Sequence, residues 1–250
     1  MIRINSKSTF HTALAVLLAM IFALPLPLFA QVQTANSGVG VANFCTRLDG
    51  VVEKFQLRIA EREEKLSTAR AERDAKLAQR FSDRDLARTD HRNGWDTTRD
   101  EHFRLMLERA TSTVLHDKVV AFQGEVDLAV KKRRTAIDTA VESYRNAVER
   151  AIAERKKQVD GVITTFKSDA TLAATKARTD CANGVKPAVV RDNYLASMQT
   201  AKNSLVTSLR AIEGKKDTLT PLLEARKKEV DQAIAAFKEE IELARSHMKE

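Results

Sequence analysis

The two cysteines, Cys45 and Cys181, are the residues of this 250-residue chain with the clearest capacity for chemistry. Neither belongs to a C-x-x-C pair, and neither lies in a motif that marks a nucleophile. The midpoint between them is Thr113, so a chain that folds back there brings them together. An even number of cysteines favours a disulfide bond if the chain is exported, and we predict that bond. The alternative is that Cys45 is a free thiol and Cys181 is a small apolar core residue.

A second candidate site combines cationic and aromatic side chains. Arg88, Arg92, Trp95 and Arg99 follow one another at spacings of four, three and four, which places them on one face of a helix. Such a surface can bind an anionic polymer, lipid head groups or an acidic partner through ion pairing and stacking. The alternative is that the arginine stems cover the core while their charged ends pair with acidic residues of an antiparallel neighbour. Those acidic residues are Glu125, Asp127, Asp138 and Glu142.

No pattern in the sequence predicts a catalytic residue. Glycine-rich phosphate-binding loops are absent from it, and the histidines lack metal-ligand spacing with cysteine or carboxylate. His91 and His102 are eleven residues apart and are most simply two copies of one repeat position. We therefore predict a protein that is not an enzyme and that uses no metal or other cofactor.

An eleven-residue repeat predicts the helices that position these residues. The chain from Ala129 to Asn183 divides into five blocks of eleven, with small or branched apolar residues recurring in the first, second and ninth positions. Eleven residues make three turns of about 3.67 residues each, so every position keeps its bearing along a long helix. The same pattern starts at Phe44. Because an isolated helix with so narrow an apolar stripe is marginally stable, we expect several such helices to pack along their length.

We predict an all-α fold: an elongated antiparallel three-helix bundle or coiled coil, with helices over residues 43–110, 117–183 and 187–250. The repeat loses its phase at Thr111-Ser112-Thr113, which supplies helix-capping hydroxyl groups. Gly184 and Pro187 are typical of a helix end followed by a new start.

Two further positions interrupt the predicted helices less strongly. The pair Asn93-Gly94 is a turn signal, but the repeat keeps its phase across it, so we interpret it as a soft spot or kink inside one helix. The repeat slips by about one residue between Ile212 and Leu222, near Gly214 and Pro221, which predicts a kink in the last helix.

The first thirty residues have the pattern of a targeting segment. Arg3 and Lys7 precede a long apolar run, and two prolines come shortly before Ala30. We predict a signal peptide over residues 1–30 with cleavage after Ala30, followed by a flexible leader over residues 31–42. The alternative is an uncleaved membrane anchor. Either arrangement places the remainder outside the cytoplasm, as a periplasmic, cell-surface or secreted protein.

The formal net charge of the chain is +8, from 42 basic and 34 acidic residues. Mixed charges at this density are typical of solvated helix surfaces. An exported chain with this mild excess is not expected to bind nucleic acid. The partners left open are another envelope protein, an anionic polymer and lipid head groups, and the oligomeric state is open as well.

These patterns favour a non-enzymatic, exported structural or scaffold protein that acts as a spacer in the cell envelope or at the cell surface. In shape the expected bundle resembles spectrin-type three-helix repeats, without a shared sequence motif. The alternative is a binding module, either chaperone-like or specific for lipid or an anionic polymer. Eleven-residue repeats are similar to those of exchangeable apolipoproteins, whose helices open and lie on lipid, but the narrow stripe rich in Ala and Val favours helix packing.

Overall fold

The computed structural model describes residues 43–214 and 218–249. Four helices account for nearly all of them: α1 (Phe44–Glu108), α2 (Thr113–Ala182), α3 (Pro187–Gly214) and α4 (Leu219–Lys249). No strand occurs within these ranges, so the predicted all-α class is confirmed. The predicted signal peptide, its cleavage after Ala30 and the leader over 31–42 lie outside the described residues.

The single helix predicted over residues 187–250 is replaced by α3 and α4. Gly214 ends α3, and glycine is about 1 kcal/mol less favourable than alanine within a helix. Pro221 lies in the first turn of α4, where a residue without an N–H group costs no internal hydrogen bond. The predicted kink lies where α3 ends and α4 begins.

The turn between α1 and α2 lies where the repeat lost its phase, although α2 begins at Thr113, earlier than predicted. Ser112 caps α2, because its Oγ accepts a hydrogen bond from the backbone N–H of Leu115 at 3.2 Å. Its carbonyl oxygen accepts the first helical hydrogen bond, from the N–H of His116 at 2.9 Å. A serine hydroxyl at this position satisfies an N–H group that the helix itself leaves unpaired.

The turn between α2 and α3 depends on Gly184, whose φ is +74°. The N–H of Gly184 donates to the carbonyl of Cys181 at 3.1 Å, and the N–H of Val185 donates to that of Asp180 at 3.0 Å. These two bonds form a Schellman motif, in which a residue in the left-handed conformation terminates the helix. Pro187 then begins α3.

Helix α1 passes through Asn93 and Gly94 without interruption, as the unbroken phase of the repeat predicted. The hydroxyl groups of Thr97 and Thr98 donate to the carbonyls of these two residues at 3.0 and 2.9 Å. A Cβ atom placed on Gly94 meets nothing within 4 Å. Packing therefore does not require a glycine at position 94.

The chain divides into two compact units. Unit 1 comprises residues 43–83 and 164–205 of the described chain, and its core joins parts of α1, α2 and α3. The contribution of α2 is mainly alanine, which lets the helix backbones approach closely. The buried core residues are Leu48, Val52, Ala170, Ala173, Ala174, Ala177, Val190, Tyr194 and Met198. Two aromatic pairs extend this core, Phe44 with Tyr194 at 5.9 Å and Phe55 with Phe166 at 5.8 Å between ring centroids.

Unit 2 comprises residues 84–163 and 206–249, with the gap at 215–217. Its fully buried side chains are mostly on α2 and α4, including Ala129, Val130, Ala140, Ala233 and Ala244. Two cation–π contacts join α2 to α4. The guanidinium of Arg133 lies 4.1 Å from the ring centroid of Phe237, and that of Arg226 lies 4.8 Å from the centroid of Tyr144. Arg133 and Tyr144 are eleven residues apart on α2, and Arg226 and Phe237 are eleven apart on α4, so the two contacts are related by the spacing of the repeat.

Substitution of the glycines by alanine is expected to have opposite effects at two positions. Gly94→Ala should raise the free energy of unfolding by about 0.5–1 kcal/mol, because alanine restricts the unfolded chain and fits an open helical position. Gly184→Ala should lower it by about 1 kcal/mol, because alanine disfavours positive φ. Urea denaturation followed by circular dichroism measures both. Gly124→Ala, at another open helical position, is the matched control for Gly94→Ala. A gain in stability at Gly184 would contradict the assigned turn.

Candidate functional site

A disulfide joins Cys45 in the first turn of α1 to Cys181 in the last turn of α2, with the two Cα atoms 5.7 Å apart. This is the pairing predicted from the sequence, and no free cysteine occurs among the described residues. Cys181 packs against the core of unit 1. Beside it, the Nε atom of Arg178 donates to Oδ1 of Asp49 at 2.8 Å. The Cys45–Cys181 disulfide holds the start of α1 against the end of α2 within unit 1.

Arg92 and Arg88, two of the predicted surface residues, face α2 and are half-buried. Arg92 donates two hydrogen bonds to the carboxylate of Asp138, at 2.9 and 2.8 Å. The Nε atom of Arg88 lies 3.5 Å from the same carboxylate, while one Nη atom donates to Asp85 at 2.7 Å. A planar guanidinium matches two carboxylate oxygens at once, which fixes the geometry of the Arg92 pair.

Arg99 follows the same pattern one repeat further along α1. Its Nε atom lies 3.0 Å from Oδ1 of Asp127 on α2, and one Nη atom donates to Asp96 at 2.7 Å. Asp127 and Asp138 are two of the acidic residues that the sequence identified as possible partners. For Glu125, the partner is instead His247 of α4, whose Nδ1 lies 3.0 Å from the carboxylate.

Four residues of this site were missed from the sequence: Asp85 and Asp96 on α1, and Arg134 and Arg145 on α2. Arg134 donates two hydrogen bonds to Asp96, at 2.8 and 2.7 Å. Arg145 likewise binds both carboxylate oxygens of Asp85. The spacing of these residues could have revealed them, because the two aspartates are eleven residues apart and so are the two arginines.

We call this set of residues the arginine–aspartate ladder. It consists of Asp85, Arg88, Arg92, Asp96 and Arg99 on α1 and of Asp127, Arg134, Asp138 and Arg145 on α2. The same group of four charged residues occurs twice. Because α1 and α2 are antiparallel, a step of eleven residues forward along α2 matches a step of eleven residues back along α1. The two copies are Arg99–Asp127 with Asp96–Arg134, and Arg88–Asp138 with Asp85–Arg145.

The pairing keeps the carboxylates of the ladder ionised. Hydrogen bonds from Arg134 lower the pKa of Asp96 to about 2, against the opposing effect of burial. Hydrogen bonds from Arg145 and Arg92 lower the pKa values of Asp85 and Asp138 in the same way. Since the charged form accepts these bonds, protonation weakens the ladder.

Trp95, the fourth member of the predicted surface, does not join the arginines. Its side chain is 70% exposed, whereas that of Arg92 is 25% exposed. At about 100° per residue, Trp95 lies roughly 60° round the helix from Arg92, and the face towards α2 is completed by Asp96 instead. The charges of the three arginines are therefore directed to aspartates, while Trp95 is exposed to solvent.

Within residues 43–214 and 218–249, no group of three or more His, Cys, Asp or Glu side chains has the arrangement to hold a metal ion. Across the same ranges, no helix contains a segment both long and apolar enough to cross a membrane. No protein-family model, curated protein or solved structure matches this chain. The disulfide and the ladder are therefore the features of the described residues from which a function can be inferred.

Acidification is expected to lower the stability of the chain through the ladder. The pKa of Asp96 is about 2 in the folded chain and about 3.9 in an unfolded one. The unfolded state therefore binds the proton first, and the stabilisation by Asp96, complete above about pH 5, is lost as the pH falls towards 2. In thermal denaturation, the decrease in Tm between about pH 6 and pH 2 should be smaller by roughly 2–4 °C in Asp96→Asn.

The matched control for this measurement is Asp90→Asn, an exposed position on the same helix. It should retain the full dependence of Tm on pH. An unchanged dependence in Asp96→Asn would contradict the role of the Arg134 pair.

Proposed function

We propose that this chain is an exported, non-enzymatic structural protein that acts as a spacer or scaffold in the cell envelope or at the cell surface. The observation that carries the proposal is that the side chains that stand out in the sequence pair with one another. The only two cysteines join α1 to α2, and the charged residues that sequence reasoning singled out pair between the same two helices. Groups that bind one another across a helix interface contribute to rigidity rather than to binding a substrate.

In this proposal the four helices build the elongated three-helix bundle that the repeat predicts, with α3 and α4 as successive parts of its third helix. Support comes from each unit separately. The core of unit 1 combines α1, α2 and α3. In unit 2, α4 packs on α2 through Phe237 and Arg226, and its buried residues Ala233 and Ala244 are eleven positions apart.

Two features support export. One is the order of basic residues, apolar run and small residue over positions 1–30, and the other is the disulfide. Disulfides persist in oxidising compartments and are rare in the reducing cytosol. A bond between residues 136 positions apart also restricts the unfolded chain, which in the chain-entropy account stabilises by several kcal/mol. An extended helical protein outside the cytoplasm gains resistance to unfolding from such a bond.

Export can be tested by expressing the complete chain in a bacterial host and sequencing the N-terminus of the protein in each cell fraction. We expect a mature chain that begins at Gln31 and is found outside the cytoplasm, because Ala30 provides the small residue at the cleavage point. Ala30→Arg is the control and should block processing. A full-length chain held in the membrane would support the anchor. Full-length protein in the cytoplasm would contradict the proposal.

The alternative function as a lipid-binding or chaperone-like module is favoured by one observation, the exposed ring of Trp95. Aromatic rings are common at lipid and protein interfaces. Unlike a spacer, such a module requires α1 or its neighbours to change their packing when the ligand binds.

Trp95 is the only tryptophan, so its fluorescence distinguishes these functions. With vesicles of anionic phospholipid, a spacer should show no blue shift and should keep its cooperative thermal transition. A blue shift with loss of that transition would establish lipid binding instead. A chaperone-like function would reduce the aggregation of a chemically unfolded test protein, which a spacer leaves unchanged.

A further inference from the structure

Helix α1 contributes little apolar burial over much of its length. Its buried side chains among the described residues are Leu48, Val52 and Phe103, and none of those between Val52 and Phe103 is buried. In unit 1, both the apolar core and the disulfide hold the N-terminal part of α1 in place. In unit 2, only Phe103 provides a buried apolar anchor, against the ring of Phe122 at 5.8 Å.

Between residues 85 and 99, the face of α1 towards α2 is therefore polar. It consists of the five α1 members of the ladder, all of them half-buried. The arginine side chains are 22–29% exposed, and their partners Asp127 and Asp138 are 46% and 45% exposed. The side chains of these pairs are partly open to solvent and ions, although the Nε atoms of Arg99, Arg134 and Arg145 are buried.

Partly exposed ion pairs and apolar cores respond differently to salt. The Debye length falls from about 10 Å at 0.1 M to about 3 Å at 1 M ionic strength, so salt weakens the attraction within partly exposed pairs, though less than within fully exposed ones. Burial of apolar groups is not screened in this way. The attachment of residues 85–99 to α2 therefore depends on the one kind of interaction in these helices that salt weakens directly.

We propose that residues 85–99 of α1 form a salt-sensitive clasp, a segment that separates locally from α2 when ionic strength rises while the core and disulfide of unit 1 stay intact. Once released, the segment frays, because a helix of this length has little stability without packing partners. Opening of this kind requires less free energy than global unfolding. The clasp gives the proposed spacer a region whose order follows the ionic conditions around it, and its behaviour does not depend on that function.

Hydrogen–deuterium exchange of the complete chain, measured by mass spectrometry at about 0.05 M and 1 M KCl and at one pH, tests the clasp. We expect amide protection over residues 85–99 to fall by about fivefold or more at high salt, which corresponds to partial screening of several pairs. Residues 44–58 of unit 1 serve as the internal control and should change by less than about twofold.

Two variants establish that the ladder causes the effect. Asp96→Leu combined with Arg134→Leu replaces one pair with apolar side chains, so the response of residues 85–99 to salt should shrink. Asp96→Arg combined with Arg134→Asp exchanges the charges and should retain the response. Asp90→Asn, outside the ladder, should behave as the unmodified chain does.

Three results would overturn the proposal. One is equal protection of residues 85–99 at the two salt concentrations. Another is an equal loss over residues 44–58 and 85–99, which indicates global unfolding. The third is an unchanged response to salt in the leucine double variant.

Discussion

The antiparallel register of α1 against α2 is the constraint on which the other contacts depend. In unit 1 the disulfide fixes this register at Cys45 and Cys181, and Lys167 pairs with Glu63 at 2.9 Å in the same unit. In unit 2 the arginine–aspartate ladder fixes it, because each guanidinium meets its carboxylate at one alignment only. A shift of one residue would turn every side chain of the ladder away from its partner.

The two units achieve this register by different physical means. Unit 1 combines apolar burial, with small alanine side chains, and a covalent bond. Unit 2 combines charged pairs along residues 85–99 of α1 with apolar burial that lies mostly on α2 and α4. Half-buried charges that pair with an opposite charge contribute modest stability but strong geometric specificity. The different chemistry of the two units explains why salt and acid should affect them unequally.

Much of this arrangement could be predicted from the sequence, because the eleven-residue period is a property of a single helix. The period predicted α1 and α2, and its loss of phase at Thr111-Ser112-Thr113 predicted their turn, in agreement with the midpoint of the two cysteines. Asp85 and Asp96 were missed, since an aspartate on a charged helix usually faces solvent. The break between α3 and α4 was predicted only as a kink, because Gly214 and Pro221 weaken a helix without deciding whether it ends. The exposure of Trp95 depends on which side chains complete the neighbouring face, and spacing alone does not determine that.

We propose that one chain folds back on itself outside the cytoplasm and is closed by its own disulfide. Non-reducing peptide mapping of the mature, exported protein is the direct test. We expect a linked peptide containing Cys45 and Cys181 from protein that migrates as a monomer. Free thiols at both positions, or a bond found only between two chains, would contradict it.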